Sequence, residues 1–469
     1  MRRLRASTES ESVGAMPAPT ARFGLLAFLV VLLIVAADAS AKGVHVVGPT
    51  VISRNTPLPE SCDGLRQDTD PWIASDPNSR KHLVATWDVD DHKSNVTAVS
   101  RDGGKTWKIA KIPGISKCTG GVSDEVVDPF VTIGAKGAAY FASLPLSVSG
   151  FLVNRSPGGG GAWSAPATVD PKAGFTDDLP SGVADPNRSG RLFLTWSRFE
   201  FTGNDISGGD ARFSRSSDGG KTFSKPIVIH DSPDGKIVLE SRLAQLSGGT
   251  LLDVFGEPPA QPVDAPQQTF ATRSTDGGQT WSTPVRIGTV GQDAILDPDT
   301  GKPRYEFCCL FGFAVAPNDR AYLAYTKVAG RHSGRVLVAR SKNGGKSWLP
   351  PRIVANPGAE TLLPATAVAD DGTVGVTWYD FRHDKPGDVG LTTDYWFAYS
   401  RDGGKTWHQR HVAGPFNMRS SRRTDRPLGV YQGLTGLKHG FAASFIQAKP
   451  RAVNGAEDVF FARITPPKP

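Results

Sequence analysis

Short apolar runs, broken every few residues by Gly, Pro, Asp and Ser, recur along almost the whole chain. They come in pairs. The first run of each pair opens with "DPWIASDPN" at Asp70, "DPFVTIGAKG" at Asp128, "LPSGVADPN" at Leu179, "SRLAQLSGG" at Ser241, "CLFGFAVAPND" at Cys309, "LPATAVADDG" at Leu363 and "VYQGLTGLKHG" at Val430. A second run follows at once, as in "HLVATWDV", "LFLTWSRF", "AYLAYTKV", "VGVTWYDF" and "FAASFIQA". Runs of this length between turn residues predict β-strands, and Pro near a strand start is tolerated because its missing N–H need not break a ladder.

A turn signature punctuates the same repeat. "SRDGGKTW" stands at Ser100 and again at Ser400, with "SSDGGKTF" at Ser216, "STDGGQTW" at Ser274, "SKNGGKSW" at Ser341 and a decayed "SPGGGGAW" at Ser156. The intervals are 56, 60, 58, 67 and 59 residues, so the repeated unit is a supersecondary block of about sixty residues. Each octet lies between two strand-like runs and reads as a hairpin turn. Its Asp accepts turn N–H groups, its Gly residues supply positive φ, and its final aromatic is an apolar plug.

The octet resembles the Asp-box, S-x-D-x-G-x-T-W, of the sialidase-like β-propellers. That resemblance implies an all-β propeller, with 42–469 as one domain. Seven strand pairs stand against six octets, because "DVFFARITPP" at Asp458 aligns with "DYWFAYSRDG" at Asp394 and the chain then stops. The run "GVHVVGPTVIS" from Gly43 is free to supply the missing outer strand. The expectation is seven four-stranded blades closed by an N-terminal strand, with six blades as the rival.

Composition fits that reading and adds an address. Gly at 52 and Pro at 36 exceed average usage, while aromatic residues reach 9%. Residues 1–41 place Arg2, Arg3, Arg5 and Arg22 ahead of "FGLLAFLVVLLIVAA" and then "ADASAKG", the order of a secretory signal peptide; a membrane anchor is the rival. The expected location is secreted, extracellular or periplasmic, with no stable membrane insertion after cleavage. Removing 1–41 leaves a charge of 49 minus 43, or +6, without a Lys/Arg block, so nucleic acid is not an expected partner. Four cysteines in an exported chain allow three pairings. Cys62 with Cys118 is the easier bond, since Cys308 and Cys309 are adjacent and a bridge between them would be strained.

Candidate chemistry lies in the long loops on the face opposite the octets. Asp68 and Asp70, Asp124 and Asp128, Asp177 and Asp178, Glu240, Glu306, Glu360 and Asp425 precede or open the first strands, with Asp88, Asp90 and Asp380 ending second strands. Paired carboxylates in unequal environments suit glycoside hydrolysis, although any single one can equally cap a turn or pair with Arg198 or a similar base. A cation site using Asp68 and Asp70 is a further option.

The family resemblance assigns roles. "LESRLAQLSGGTLL" is similar to the segment whose Glu activates a Tyr nucleophile, implying Glu240 as base, Tyr431 as nucleophile and Asp68 or Asp70 as acid/base. Arg66, Arg242, Arg382 and Arg426 are the substrate-binding candidates; no cofactor or metal is expected. The chain lacks the family's Arg-Ile/Leu-Pro signature, and no Arg follows Glu240 in the second strand "TLLDVFGE". Without an arginine triad a sialic acid carboxylate loses its bidentate partners. The expectation is therefore a glycosidase acting on an extracellular glycan or glycoprotein, not necessarily a sialoside. The alternative is a noncatalytic propeller that binds glycan or protein through the same face. Trp87, Trp196, Trp378 and Tyr379 are its possible contacts, though the three Trp recur at one repeat position as core residues would.

Overall fold

The structure is a computed structural model that describes residues 43–171, 176–260, 267–290, 295–305, 311–328, 333–387, 389–421, 427–448 and 457–468. Residues 1–41, Cys308, Cys309 and Arg426 lie outside them.

Seven four-stranded antiparallel sheets form a β-propeller. Blade one runs Thr69–Asp76, Ser79–Val89, Ser94–Ser100 and Lys108–Lys111, and blades two to six repeat that order with first strands Val126–Ile133, Thr176–Ala184, Leu239–Gln245, Gly312–Val315 and Thr361–Val368. Blade seven takes Gly433–Leu437, Gly440–Ala448 and Glu457–Thr465 from the C-terminal end and His45–Val51 from the N-terminal end. His45 pairs with Thr465 and Val51 with Phe460, antiparallel, so the first strand closes the ring as the sequence led us to expect. Closure leaves no blade edge between the chain ends. The six-blade rival is excluded. In the long connection after blade four, Ile295–Leu296 and Pro303–Tyr305 form a small hairpin outside the seven blades.

Trp87, Trp196 and Trp378 are each fully buried in second strands, so they are core residues rather than ligand contacts. Tyr379 is also buried, its hydroxyl donating to the Ile446 carbonyl at 2.8 Å and accepting from the Ile446 N–H. Blade-to-blade packing also runs through the octets. Gly104 lies so close to Phe461 of blade seven, and Gly278 to Phe213 of blade three, that a methyl group at either glycine would overlap the ring. Both also hold positive φ, 90° and 86°. The octet is thus a hairpin turn and a contact with the preceding blade at once.

Cys62, in the short helix Glu60–Asp63, is bridged to Cys118 with Cα atoms 6.1 Å apart. The bridge ties the loop leading into blade one to the loop leading into blade two.

Candidate functional site

Five first strands share a distortion. Asp70, Asp128, Leu179, Glu240 and Leu363 all have φ between 49° and 57°, and at each of them the pairing with the second strand slips. A non-glycine residue in the left-handed region costs of order 1–2 kcal/mol, so such residues persist only where their surroundings fix them. Here the fixing groups belong to other blades. Asp70 accepts the Val430 N–H of blade seven, Asp128 accepts the Leu179 N–H of blade three at 3.3 Å, and Glu240 accepts the Phe311 N–H leading into blade five at 2.7 Å. Three of the acids that the sequence offered for catalysis are therefore inter-blade staples around the mouth of the axial channel.

Arg242 is the centre of that mouth. Its Nε donates to Glu240 at 3.0 Å, and its guanidinium carbon sits 5.0 Å from the Trp72 ring centroid and 5.5 Å from that of Tyr431. Trp72 and Tyr431 meet edge to face at 5.9 Å. Below this plug the channel holds a cavity of about 290 Å³ reaching Arg80. Above it lies one of about 70 Å³ lined by Phe311, Phe313, Leu363, Tyr431 and Gln432.

The catalytic pairing expected from the sequence is not formed. Tyr431 is buried among Leu179, Phe199, Ile237 and Leu239, and its hydroxyl donates to the Pro129 carbonyl at 3.4 Å. Glu240 spends its carboxylate on Arg242 and Phe311, and Arg242 covers the Tyr431 ring instead of leaving it open to Glu240. Burial, and then the negative field of Asp128, Asp70 and Asp88, raises the Tyr431 phenol well above its ordinary value, opposite to what a nucleophile needs. Burial pushes Glu240 up to about 8 against the pull of Arg242 and the Phe311 N–H.

The other candidates disperse. Asp68 and Asp70 are not brought together: Asp68 lines a separate cavity with Arg66, while Asp70 bonds Val430 at the mouth. Arg382 is held by Asp380 at 2.7 Å and stacks 3.8 Å over Trp396 in blade six. Among the described residues, then, Arg66, Arg242 and Arg382 are committed to three different surroundings and form no carboxylate-binding triad. The proposed pairing of acids with Arg198 does occur, as a buried bidentate bond to Asp177 at 2.7 and 2.8 Å.

Three of the acids that the sequence placed on this face, Asp128, Asp178 and Asp88, meet at the mouth. Asp178, partly exposed, is hydrogen-bonded to buried Asp128, and Asp178 also accepts the Leu179 N–H at 3.0 Å. Burial first and the Asp178 charge second raise Asp128 well above the carboxylate range, so the two share a proton. Asp88, fully buried beside His92 at 2.9 Å, is pushed by burial up to about 7. All three were visible as acids on this face, but nothing in their spacing singled them out.

A family model described as BNR/Asp-box repeat matches residues 398–409, the last octet and its flanks. No curated protein matches the sequence. Among solved structures, a Dyadobacter fermentans protein of unknown function is 17% identical, with 76% of this chain and 99% of that one covered and a TM-score of 0.48. The Hadza microbial sialidase Hz136 is 16% identical (82% and 73% covered, TM-score 0.46), and a Penicillium chrysogenum α-L-arabinanase is 15% identical (73% and 93%, TM-score 0.45). Likenesses this distant carry no argument about chemistry. The octets and the seven sheets define the class: the chain is a seven-bladed β-propeller that carries BNR/Asp-box turns.

Proposed function

We propose that this propeller binds neutral glycans at the channel mouth, over Asp128 and Asp178, and that residues 1–41 direct it out of the cytoplasm to do so. The observation that carries the reading is the cluster of carboxyl groups at the mouth. Asp70, Asp88, Asp128 and Asp178 surround it, and the guanidinium among them, Arg242, is engaged by Glu240. Carboxyl groups, protonated or ionised, exchange hydrogen bonds with sugar hydroxyls, whereas a sialoside or uronide carboxylate would find the Arg242 guanidinium already engaged by Glu240.

Hydrolysis by the Tyr route lacks its nucleophile–base contact. Hydrolysis by Asp128 and Asp178 is no better supported, because hydrogen-bonded carboxyls are closer than the roughly 5 Å that a retaining glycosidase keeps between its pair. Binding is thus favoured over turnover. Among the described residues no helix is long and apolar enough to cross a membrane.

A glycan array followed by calorimetry tests the proposal. Neutral glycans should bind, and Asp178→Asn should weaken them. A panel of fluorogenic glycosides should show no turnover. Hydrolysis of a sialoside, or preferential retention of acidic glycans, would overturn this reading.

A further inference from the structure

On the octet face, where blade five meets blade six, a cavity of about 90 Å³ is lined by Arg320, Tyr322, Arg340, Lys342, Asp402 and Lys405. Four of those six are cations. Tyr322 and Arg340 are register partners on the second and third strands of blade five, while Asp402 and Lys405 belong to the octet of blade six. The volume equals about three waters at about 30 Å³ each, which suits one tetrahedral oxyanion. The cavity shares no lining residue with those of the channel, so a ligand here is independent of one at the mouth.

Arg340 is short of negative charge. Among the described residues three arginines are buried, and while Arg198 is paired with Asp177 and Arg242 with Glu240, Arg340, 7% exposed, forms no ion pair. A buried charge without a partner is costly. Its Nη1 donates to the Gly403 carbonyl at 3.3 Å and its Nε is enclosed, but Nη2 has neither an acceptor nor such cover and is left open to the cavity. Burial, and then the charge of Arg352, lowers the pKa of Arg340 from its ordinary value. Asp402 does not make up the shortfall, because its carboxylate already receives the Ser400 and Thr406 hydroxyls and the N–H groups of Lys405 and Thr406.

Blade three shows what packing alone requires. There Arg215 stands at the position of Arg340 and donates to the Gly277 carbonyl of the next octet at 2.7 Å. Arg191 matches Arg320, but Phe193, Ser217 and Gln279 take the places of Tyr322, Lys342 and Lys405. The contact between blades is thus made without the phenol or either lysine. We infer that the cavity between blades five and six binds a sulfate or phosphate group, free or as an ester, received by Arg320, Arg340 and the Tyr322 hydroxyl, with Lys342 and Lys405 at its rim. Arg320 is hydrogen-bonded to the Tyr322 oxygen, which leaves the phenol O–H to donate. Guanidinium forks fit such oxyanions, and the ammonium groups add charge without fixed direction.

Calorimetry at low ionic strength, with sodium sulfate, sodium phosphate, glucose 6-sulfate and glucose 6-phosphate as probes, tests the assignment. One or more of the four should bind, acetate should bind more weakly, and glucose should not displace the anion. Binding of an ester assigns a sugar ester as the source, and binding of the inorganic ions alone assigns the free ion. Arg340→Gln should lower the affinity about tenfold or more, the loss of a charge-assisted hydrogen bond. Arg320→Gln, at an exposed position, serves the same purpose if Arg340→Gln does not fold. Arg215→Gln, the counterpart in blade three, and Asp178→Asn, at the mouth, should bind the anion as the parent does. No binding of any of the four probes, equal binding of acetate, or displacement by glucose would overturn the assignment. So would an equal loss from Arg215→Gln, or a folded Arg340→Gln or Arg320→Gln that binds as tightly as the parent.

Discussion

Asp276 receives four donors within one turn: the Ser274 hydroxyl at 2.8 Å, the N–H groups of Gln279 and Thr280 at 2.9 and 3.0 Å, and the Thr280 hydroxyl at 2.6 Å. Asp102, Asp218 and Asp402 repeat the arrangement, and in blade five Asn343 accepts the Ser347 N–H at 3.0 Å and donates to the Ser347 hydroxyl at 2.9 Å. An amide therefore works where the carboxylate does. Asp276→Asn should melt within about 1 °C of the parent at neutral pH, since most hydrogen bonds survive, whereas Asp276→Ala, which loses all four, should melt lower. Scanning calorimetry of both variants checks this.

At the mouth, Tyr431→Phe should alter stability by less than about 1 kcal/mol, because a 3.4 Å hydroxyl bond is all that is lost. Arg242→Ala strips the partner from a fully buried carboxyl and uncovers Trp72 and Tyr431, and should cost about 3 kcal/mol in urea unfolding. Equal effects from the two would contradict the geometry. The boxes were legible because all their partners lie within five residues. The mouth was not, since the alternation of side chains along a strand places Asp68 and Asp70 on one face, and the left-handed residue at 70 breaks that alternation. Nor does sequence show Arg242 inserted beside Tyr431, almost two hundred positions away.

The recurring unit owes its stability to where one blade touches the next. Gly278→Ala must place a methyl group against Phe213 on a backbone of positive φ, so it should cost about 1–3 kcal/mol, the range of overpacked sites. Gly358, also at positive φ but with open space around its Cβ position, is the control: Gly358→Ala pays the conformational cost alone and should lose less. Chemical denaturation of the pair separates packing from backbone strain. Repetition made the elements readable, since seven near-copies show what one noisy run cannot. The hairpin of Ile295–Leu296 and Pro303–Tyr305 occurs once, and without a second copy to align it stayed hidden. The closing strand was readable for the opposite reason: it was the one run left without a partner.

Over the whole molecule, buried carboxyl groups set the pH response. Burial raises Asp88 to about 7 and, despite the Ser241 hydroxyl at 2.8 Å, Asp253 to about 8. Each keeps its proton in the folded protein after the unfolded chain, titrating near 4, has lost it, so stability falls as pH rises from about 4 to about 8. The boxes act in the other direction. Hydrogen bonds from Thr side chains and backbone hold Asp102, Asp218 and Asp276 below the usual carboxylate range, and their contribution, present above about pH 4, is lost as pH drops. Melting temperature should therefore peak near pH 4 to 5 and decline toward pH 8; a maximum at or above pH 8 would refute the assignment of protonated Asp88 and Asp253. The ring closure has a kinetic side too. His45 and Thr465 become neighbours only after everything between them has been made, so the earliest strand synthesised is the last to find its place. Closing so long a loop is entropically slow, and for the whole of synthesis the nascent chain carries an open sheet edge that another copy could occupy. Partners that shield that edge during synthesis would govern the yield of this protein more than the depth of its native well.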